Sequence, residues 1–349
     1  MVIIGTDSHK RSHTCVAIDG LGRRLAERRA PATDAGHGEL RRWAAAFPER
    51  LWALEDCRDL SRRLERDLLG TGEAVVRVPP RLMAGARRSG RERGKSDPID
   101  ALAVARAALR EPDLPVAWLD GPEREVRLLV DHREDLVAQR TAHENRLRGH
   151  LHELAPGGEP PPRALGRLPV LDALAERLAG TDGPVARIAR DLVARIRELT
   201  LAVDAIRREL AGLVTPLVPA LLALPGCGVL TAAKLIGEVA GIDRFRSAAA
   251  FARWDGTAPI PVWSGDTTRV RLSRGGNRQV NAALHRIAVT QLRLAGPGRD
   301  YAAKRRAAGD TWTGALRALR RRLSDEVFRR MWVDERARVS PPATLREAA

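Results

Sequence analysis

The chain predicts a mixed α/β domain followed by a mostly helical remainder. Over roughly the first hundred residues, short β-prone runs alternate with stretches of helical spacing. Beyond Pro122 the apolar residues recur almost only at helical intervals. Aromatic residues make up only 3%, with a single Tyr, which argues against an all-β sandwich built on aromatic strands. A length of 349 residues, 44% of them hydrophobic, suits two or three units with real cores and excludes wholesale disorder.

In chain order, Val2–Thr6 is an apolar run that stops at Asp7 and reads as the first strand. Thr14–Ile18 reads as the second, and the Asp19-Gly20 turn leads into a polar third strand over Arg24–Arg29. Asp34–Phe47 has helical spacing, and Leu51–Leu54 reads as a strand that stops at Glu55. Leu60–Leu69 is amphipathic and ends at Gly70, and Ala74–Val78 is a last strand broken by Pro79-Pro80. Three strands close together suggest a meander, and helices separate the later ones, so the sheet should be mixed rather than purely parallel.

Arg81–Lys95 is basic and glycine-punctuated, which suits a mobile loop or one that a ligand orders. Ser96-Asp97-Pro98 opens a helix expected to reach Leu109. The charged stretch from Pro122 to Leu154 suits a long antiparallel arm or coiled coil, with Ala155–Pro162 at its tip and helices again over Leu171–Leu213. A C-terminal module begins near Leu221, with helices expected over Thr231–Val239, Ser247–Trp254 and Arg278–Ala295. A Gly/Ser/Thr-rich loop is expected over Gly256–Asn277, and after Gly309 a basic helix runs into a Pro-containing tail. The resulting domains are 1–118, 119–215 and 216–335, with a flexible tail over 336–349.

Lys plus Arg number 60 against 44 Asp plus Glu, a net charge of +16 that favours a polyanionic partner, nucleic acid first. Coding bias accounts for Arg over Lys but not for the excess. Cys15, Cys57 and Cys227 lie far apart, with neither a disulfide framework nor a zinc spacing, which fits a reducing cytoplasm. No signal-peptide core and no run of the roughly 20 apolar residues that a membrane span needs is visible, so no membrane partner is expected.

Asp7 and Glu55 each stand where a β-run ends, and neighbouring strands would project both from one sheet edge. Asp97 and Asp100, three apart, share one helix face. Four carboxylates brought together repel unless cations sit between them, and oxygen ligands suit Mg2+. The same residues also read as a plain helix start, with Asp97 as N-cap, and as strand-end turns. Composition and spacing leave both readings open. Asp56 competes with Glu55. His9 and His13 follow the first strand; His9 is within reach of its carboxylate, and a turn role is the simpler reading.

Three motifs appear in order: Gly5-Thr6-Asp7-Ser8-His9-Lys10, Ala53-Leu54-Glu55, and Lys95-Ser96-Asp97-Pro98-Ile99-Asp100-Ala101. Leu224-Pro225-Gly226-Cys227-Gly228 through Ile236, Phe245-Arg246-Ser247, Trp254 to Pro259, Ser264-Gly265 and Gly276-Asn277 follow. Collinear over nearly the whole chain, this set resembles the DEDD transposases of the insertion-sequence 110/1111 family. The resemblance implies a RuvC-like domain of ribonuclease H fold, a helical arm, and a mostly helical C-terminal transposase domain with a helix-hairpin-helix-like segment. It puts the metal tetrad on Asp7, Glu55, Asp97 and Asp100, with Mg2+ as cofactor and Mn2+ as substitute. It also makes Ser264 the nucleophile that forms a phosphoserine link to DNA, although a Ser-Gly pair in a stretch without strand or helix periodicity is by itself an ordinary turn.

Gly226 and Gly228 could expose backbone N–H groups to a phosphate or form a tight turn between packed helices. Arg269, Arg271, Arg274 and Arg278 surround the serine and could hold phosphates or form a solvated basic face. Asn277 belongs to the same set, and Trp263 could stack on a base. Val280 and Asn281 stand where the family pattern leads one to expect Leu and Arg, which puts one phosphate contact in doubt. By resemblance the partners are donor and target DNA, a noncoding bridge RNA that reads sequence by pairing, and further copies in a dimer or tetramer with composite active sites. Such a protein would act in the cytoplasm at the nucleoid. The rivals are a RuvC-like nuclease or junction resolvase without serine chemistry, and a non-catalytic nucleic-acid-binding protein.

Overall fold

The computed structural model describes residues 1–55, 60–80, 82–83, 96–111, 114, 116–117, 121–264, 267–271, 273 and 275–339. Asp56, Trp118, Gly265, Asp266, Arg274, most of the basic loop over 81–95 and residues 340–349 lie outside them. The chain divides into two compact units, Met1–Asp120 and Gly121–Ala349.

The first unit is built on a sheet of β1 (Val2–Ser8), β2 (Ser12–Ile18), β3 (Arg24–Pro31), β4 (Arg50–Glu55) and β5 (Val75–Val78), in the order β3-β2-β1-β4-β5. The first three strands form antiparallel hairpins, whereas β4 runs parallel to β1 and β5 parallel to β4. This mixed order is that of the RuvC-like ribonuclease H fold. Strand alternation sorts the apolar residues onto two faces. Ile4, Cys15, Ala17, Trp52 and Leu54 pack with Leu40 of α1 (Asp34–Ala44) and Leu64 and Leu68 of α2 (Arg62–Leu69). Ile3, Val16, Ile18 and Ala53 pack on the other face against α3 (Asp97–Arg110). The edge strand β3 is mostly exposed and carries Arg24, Glu27, Arg28 and Arg29, charges that discourage pairing with another edge.

Gly5 sets how close α3 comes. A Cβ at Gly5 would lie 2.2 Å from the Ala101 carbonyl oxygen and 2.7 Å from the Ala105 Cβ. The helix answers with small residues, Ala101, Ala105 and Ala108 among them, all buried. Only a strand without a side chain at that point lets α3 carry its first turn down to the end of β1.

The second unit opens with α4 (Pro122–Leu154), a 3-10 turn (Ala164–Gly166), α5 (Leu168–Ala179) and α6 (Pro184–Leu217). Val126 and Val130 share a core with Leu210 and Val214, while Leu147 and Leu151 share one with Leu192 and Ile196. Residues early in α4 thus meet residues late in α6, so the two helices form an antiparallel arm. The remaining elements are α7 (Pro219–Leu222), α8 (Val229–Val239), α9 (Ala248–Asp255), β6 (Ile260–Ser264), β7 (Thr267–Arg271), α10 (Arg278–Arg293), α11 (Pro297–Ala307) and α12 (Trp312–Val339). Val280, Leu284 and Ile287 of α10 pack with Phe251, Leu323 and Val327 in one core.

Three features depart from the sequence reading. The stretch expected to be a loop over Gly256–Asn277 contains the antiparallel hairpin β6–β7, with Val262 opposite Arg269 and Ser264 opposite Thr267. Pro261 and polar residues hide the alternation, and only cross-strand pairing makes these strands. Helix α11 escaped notice because among its residues only Gly298 and Ala302 are buried, too few to show a period. Helix α12 runs to Val339, into the stretch assigned to the tail.

Candidate functional site

β1 and β4 run parallel with Gly5 opposite Ala53 and Thr6 opposite Leu54. One further step sets Asp7 beside Glu55, both at the carboxyl ends of adjacent central strands and both on the face that α3 covers. Helix α3 starts there too. Ser96 occupies its N-cap position with extended backbone, and Pro98 sits in its first turn. Asp97 is therefore the first helical residue rather than the cap, and its carboxylate is left for other partners. The structure brings Asp7, Glu55, Asp97 and Asp100 to one sheet edge.

Asp7 is only 5% exposed and Asp100 only 6%. Burial pushes the Asp7 carboxyl above its ordinary range; His9 opposes that rise, and the charges of Asp100, Glu55 and Asp97 add to it. His9 Nε2 lies 3.0 Å from Asp7 Oδ2 and 3.2 Å from Asp97 Oδ1. Asp7 Oδ2 is sealed from solvent and accepts no hydrogen bond. A buried carboxylate with an unused oxygen, pressed by three more acidic groups, fits a divalent cation held by hard oxygen ligands. Asp7, His9 and Asp97 offer ligand atoms all within 4.8 Å of one another.

His9 stands in the turn between β1 and β2, its backbone N–H donating to the Ser12 carbonyl oxygen at 3.0 Å, and its ring also reaches the carboxylates, the second role the sequence left open. The usable signal was parity: two residues beyond Asp7 on extended chain, it falls on the same side.

Of the residues assigned to the other half of the chemistry, Ser264 ends β6, and Arg269 lies on β7. Trp263 beside the serine is 69% exposed, as stacking on a base requires. Arg271 and Arg278 are exposed. Gly226 takes a positive φ of 86°, and a Cβ there would come within 3.0 Å of the Ile287 carbonyl oxygen, so close packing already demands glycine. Gly228 is the N-cap of α8, with open space where a Cβ would stand. Asn277 caps α10 by accepting from Gln279 and Val280 N–H, and its amide donates to Glu238 Oε2 at 2.7 Å. Asn281 also turns inward: its amide donates to the Asp255 carbonyl oxygen at 2.9 Å, and Arg320 of α12 donates to its oxygen.

The strand order and the carboxylates at the ends of its central strands define a RuvC-like domain of the DNA-cleaving class that uses divalent metal. Family models agree. Residues 4–156 match the IS110-type DEDD model, described as a transposase, and residues 218–303 match one described as the transposase of the IS116/IS110/IS902 family. Relatives span both units. The 44.8 kDa protein of insertion element IS116 from Streptomyces clavuligerus is 27% identical over 98% of this chain and 97% of its own length. The 43.6 kDa protein of insertion element IS110 from Streptomyces coelicolor is 31% identical over 66% of this chain and 69% of its own. Among solved structures, T. thermophilus RuvC in complex with a Holliday junction substrate aligns at 15% identity over 34% of this chain and 99% of that chain, with a TM-score of 0.27. The strand order and the family models carry the RuvC-like fold. The chain belongs to the IS110 family of insertion-element transposases. No helix among the described residues is long and apolar enough to cross a membrane.

Proposed function

We propose that the protein cuts and exchanges DNA strands for its own insertion element through a phosphoserine intermediate at Ser264. Asp7, Glu55, Asp97 and Asp100 hold Mg2+, with Mn2+ as a substitute. The observation that carries this reading is the meeting of the four carboxylates at one edge of a RuvC-like sheet, with a buried Asp7 oxygen left unused. When bound there, a divalent ion would supply charge neutralisation to the scissile phosphate and its attacking and leaving oxygens. The Ser264 oxygen forms a bond to phosphorus as the deoxyribose oxygen leaves with the proton that the serine gives up. One phosphodiester replaces another, so religation needs no ATP.

The exposed Arg271 and Arg278, with Arg269 and Arg274, hold phosphates around the hairpin. Gly228 opens the N-terminus of α8 to a backbone phosphate, Gly226 shapes the turn before it, and Asn277 fixes the start of α10. The +16 net charge suits donor and target DNA together with a guide RNA, base pairing supplying the sequence readout. The protein works as a dimer that grows to a tetramer, in the cytoplasm at the nucleoid. The division into residues 1–118, 119–215 and 216–335 assigns metal chemistry, the helical arm and the serine to successive segments.

The test is a trapping experiment. Protein, Mg2+, guide RNA and both DNAs are incubated, then denatured, and a protein–DNA adduct mapping to Ser264 is expected. Ser264→Ala should lose both adduct and strand exchange. Cleavage that survives Ser264→Ala would reduce the protein to a water-using nuclease, and indifference to Asp7→Asn would leave only a binding protein.

A further inference from the structure

We propose that His9 is a ligand of the cation that Asp7 and Asp97 hold, so that one metal position at the acidic edge is a mixed nitrogen–oxygen site that takes Mn2+ or Co2+ in preference to Mg2+. The inference rests on the metal reading above and goes beyond the four carboxylates.

Three observations carry it. His9 Nε2 stands 3.0 Å from one carboxylate oxygen and 3.2 Å from the other. An octahedral ion with bonds of about 2.1 Å separates adjacent ligands by about 3 Å, so His9 Nε2 already has the spacing of a ligand neighbour to each carboxylate oxygen. Second, hydrogen bonding explains only half of this contact. A neutral imidazole nitrogen carries at most one hydrogen; Nε2 has hydrogen-bond geometry to Asp97 Oδ1, while Asp7 Oδ2, equally near, accepts nothing. A buried carboxylate oxygen beside the ring therefore keeps an unused lone pair.

Third, His9 is 49% exposed and holds no core together, so its ring can pivot and Nδ1 can carry the proton while Nε2 binds. His37, which forms another Asp–His–Asp group with Asp34 and Asp67 among the described residues, has no such freedom: its ring is buried and both nitrogens face protein partners. An imidazole among carboxylates shifts preference toward transition metals, because Mg2+ favours oxygen ligands and water.

The experiment uses the full-length protein with Mn2+ as the probe and pulsed electron paramagnetic resonance as the readout. Coupling to a histidine nitrogen is expected and should change when histidine is selectively labelled with heavy nitrogen. His9→Ala should abolish the coupling and weaken Mn2+ binding by about tenfold or more, with a smaller change for Mg2+. His9→Gln retains a donor for Asp97 but no imidazole, and it should lose the coupling as well. Circular dichroism checks that both variants remain folded. Full Mn2+ affinity in His9→Gln would make His9 a positioning donor and overturn the proposal. Mn2+ bound in an Asp7-dependent way without histidine coupling would overturn it while sparing the tetrad. Mn2+ binding that ignores Asp7→Asn, or no binding, would remove the metal reading itself.

Discussion

Two Asp–His–Asp groups lie on opposite faces of the same sheet. On the α3 face, His9 is half-exposed between Asp7 and Asp97, and a buried carboxylate oxygen accepts no hydrogen bond. On the α1–α2 face, His37 is buried; its Nδ1 lies 2.5 Å from Asp67 Oδ2, and its Nε2 lies 3.2 Å from His13 Nε2. Asp34, the third member, accepts from Arg63 at 2.6 Å. The second group has the ligand types of a metal site, and each of its three residues meets a protein partner, although Nδ1 of the adjoining His13 is buried without one. The first keeps an acceptor idle in a place where burial makes idleness costly. Residue type does not separate a binding site from a structural network; unspent hydrogen-bonding capacity on the candidate ligand atoms themselves does.

The sharpest way to break the comparison is Asp7→Asn. Strand cleavage should fall by about a thousandfold or more, roughly 4 kcal/mol of transition-state stabilisation, in a gel assay with Mg2+. Stability should move the opposite way. A carboxyl whose folded pKa is raised above its unfolded 3.8 stabilises the fold when protonated, and that contribution is lost as pH rises through the folded value. At neutral pH without metal, Asp7→Asn should therefore unfold at a higher temperature than the parent, and added Mg2+ should narrow the gap. The equivalent Asp67→Asn should leave cleavage intact.

Gly5→Ala comes next. The new methyl meets the α3 backbone at 2.2 Å, so the helix must retreat from β1. A loss of about 3 kcal/mol in denaturant unfolding is expected, with weaker Mg2+ binding because Asp97 and Asp100 ride on that helix. Unchanged stability would mean that α3 does not depend on the bare strand beneath it.

The third effect belongs to the α1–α2 face and is similar or smaller in size. Burial, then the neighbouring His37, lowers the His13 pKa from 6.5 to about 4. As pH falls below 6.5 the unfolded chain takes up a proton that the folded protein refuses. Stability present above that pH is lost between about 6.5 and 4, on the order of 3 kcal/mol, and His13→Gln should flatten that limb of an acid-unfolding curve.

Much of the first unit was legible because three of its strands advertise themselves by a short apolar run that stops at a charge: Val2–Thr6 before Asp7, Thr14–Ile18 before Asp19, Leu51–Leu54 before Glu55. The helical arm was legible from its spacing. The hairpin was not, since Pro261, Ser264 and two threonines carry little alternation and the strands exist only through each other. The carboxylates of the site could be singled out only by likeness to a family, because the first turn of α3 also reads as an ordinary helix start. Asn277 and Asn281, read as contacts for nucleic acid or the loss of one, spend their side chains on the interior.

By itself the sequence determined the periodicities, the charge excess, the order of the motifs and the small residues along α3, all of which are properties of chain neighbours. Tertiary structure alone decided that residues 7, 9 and 97 converge, that one histidine is free where another is bound, and that a glycine in β1 sets the height of a helix that begins ninety residues later. Hydrogen bonds and desolvation act over a few ångströms in space, and the linear chain carries no record of which distant groups will be brought that close.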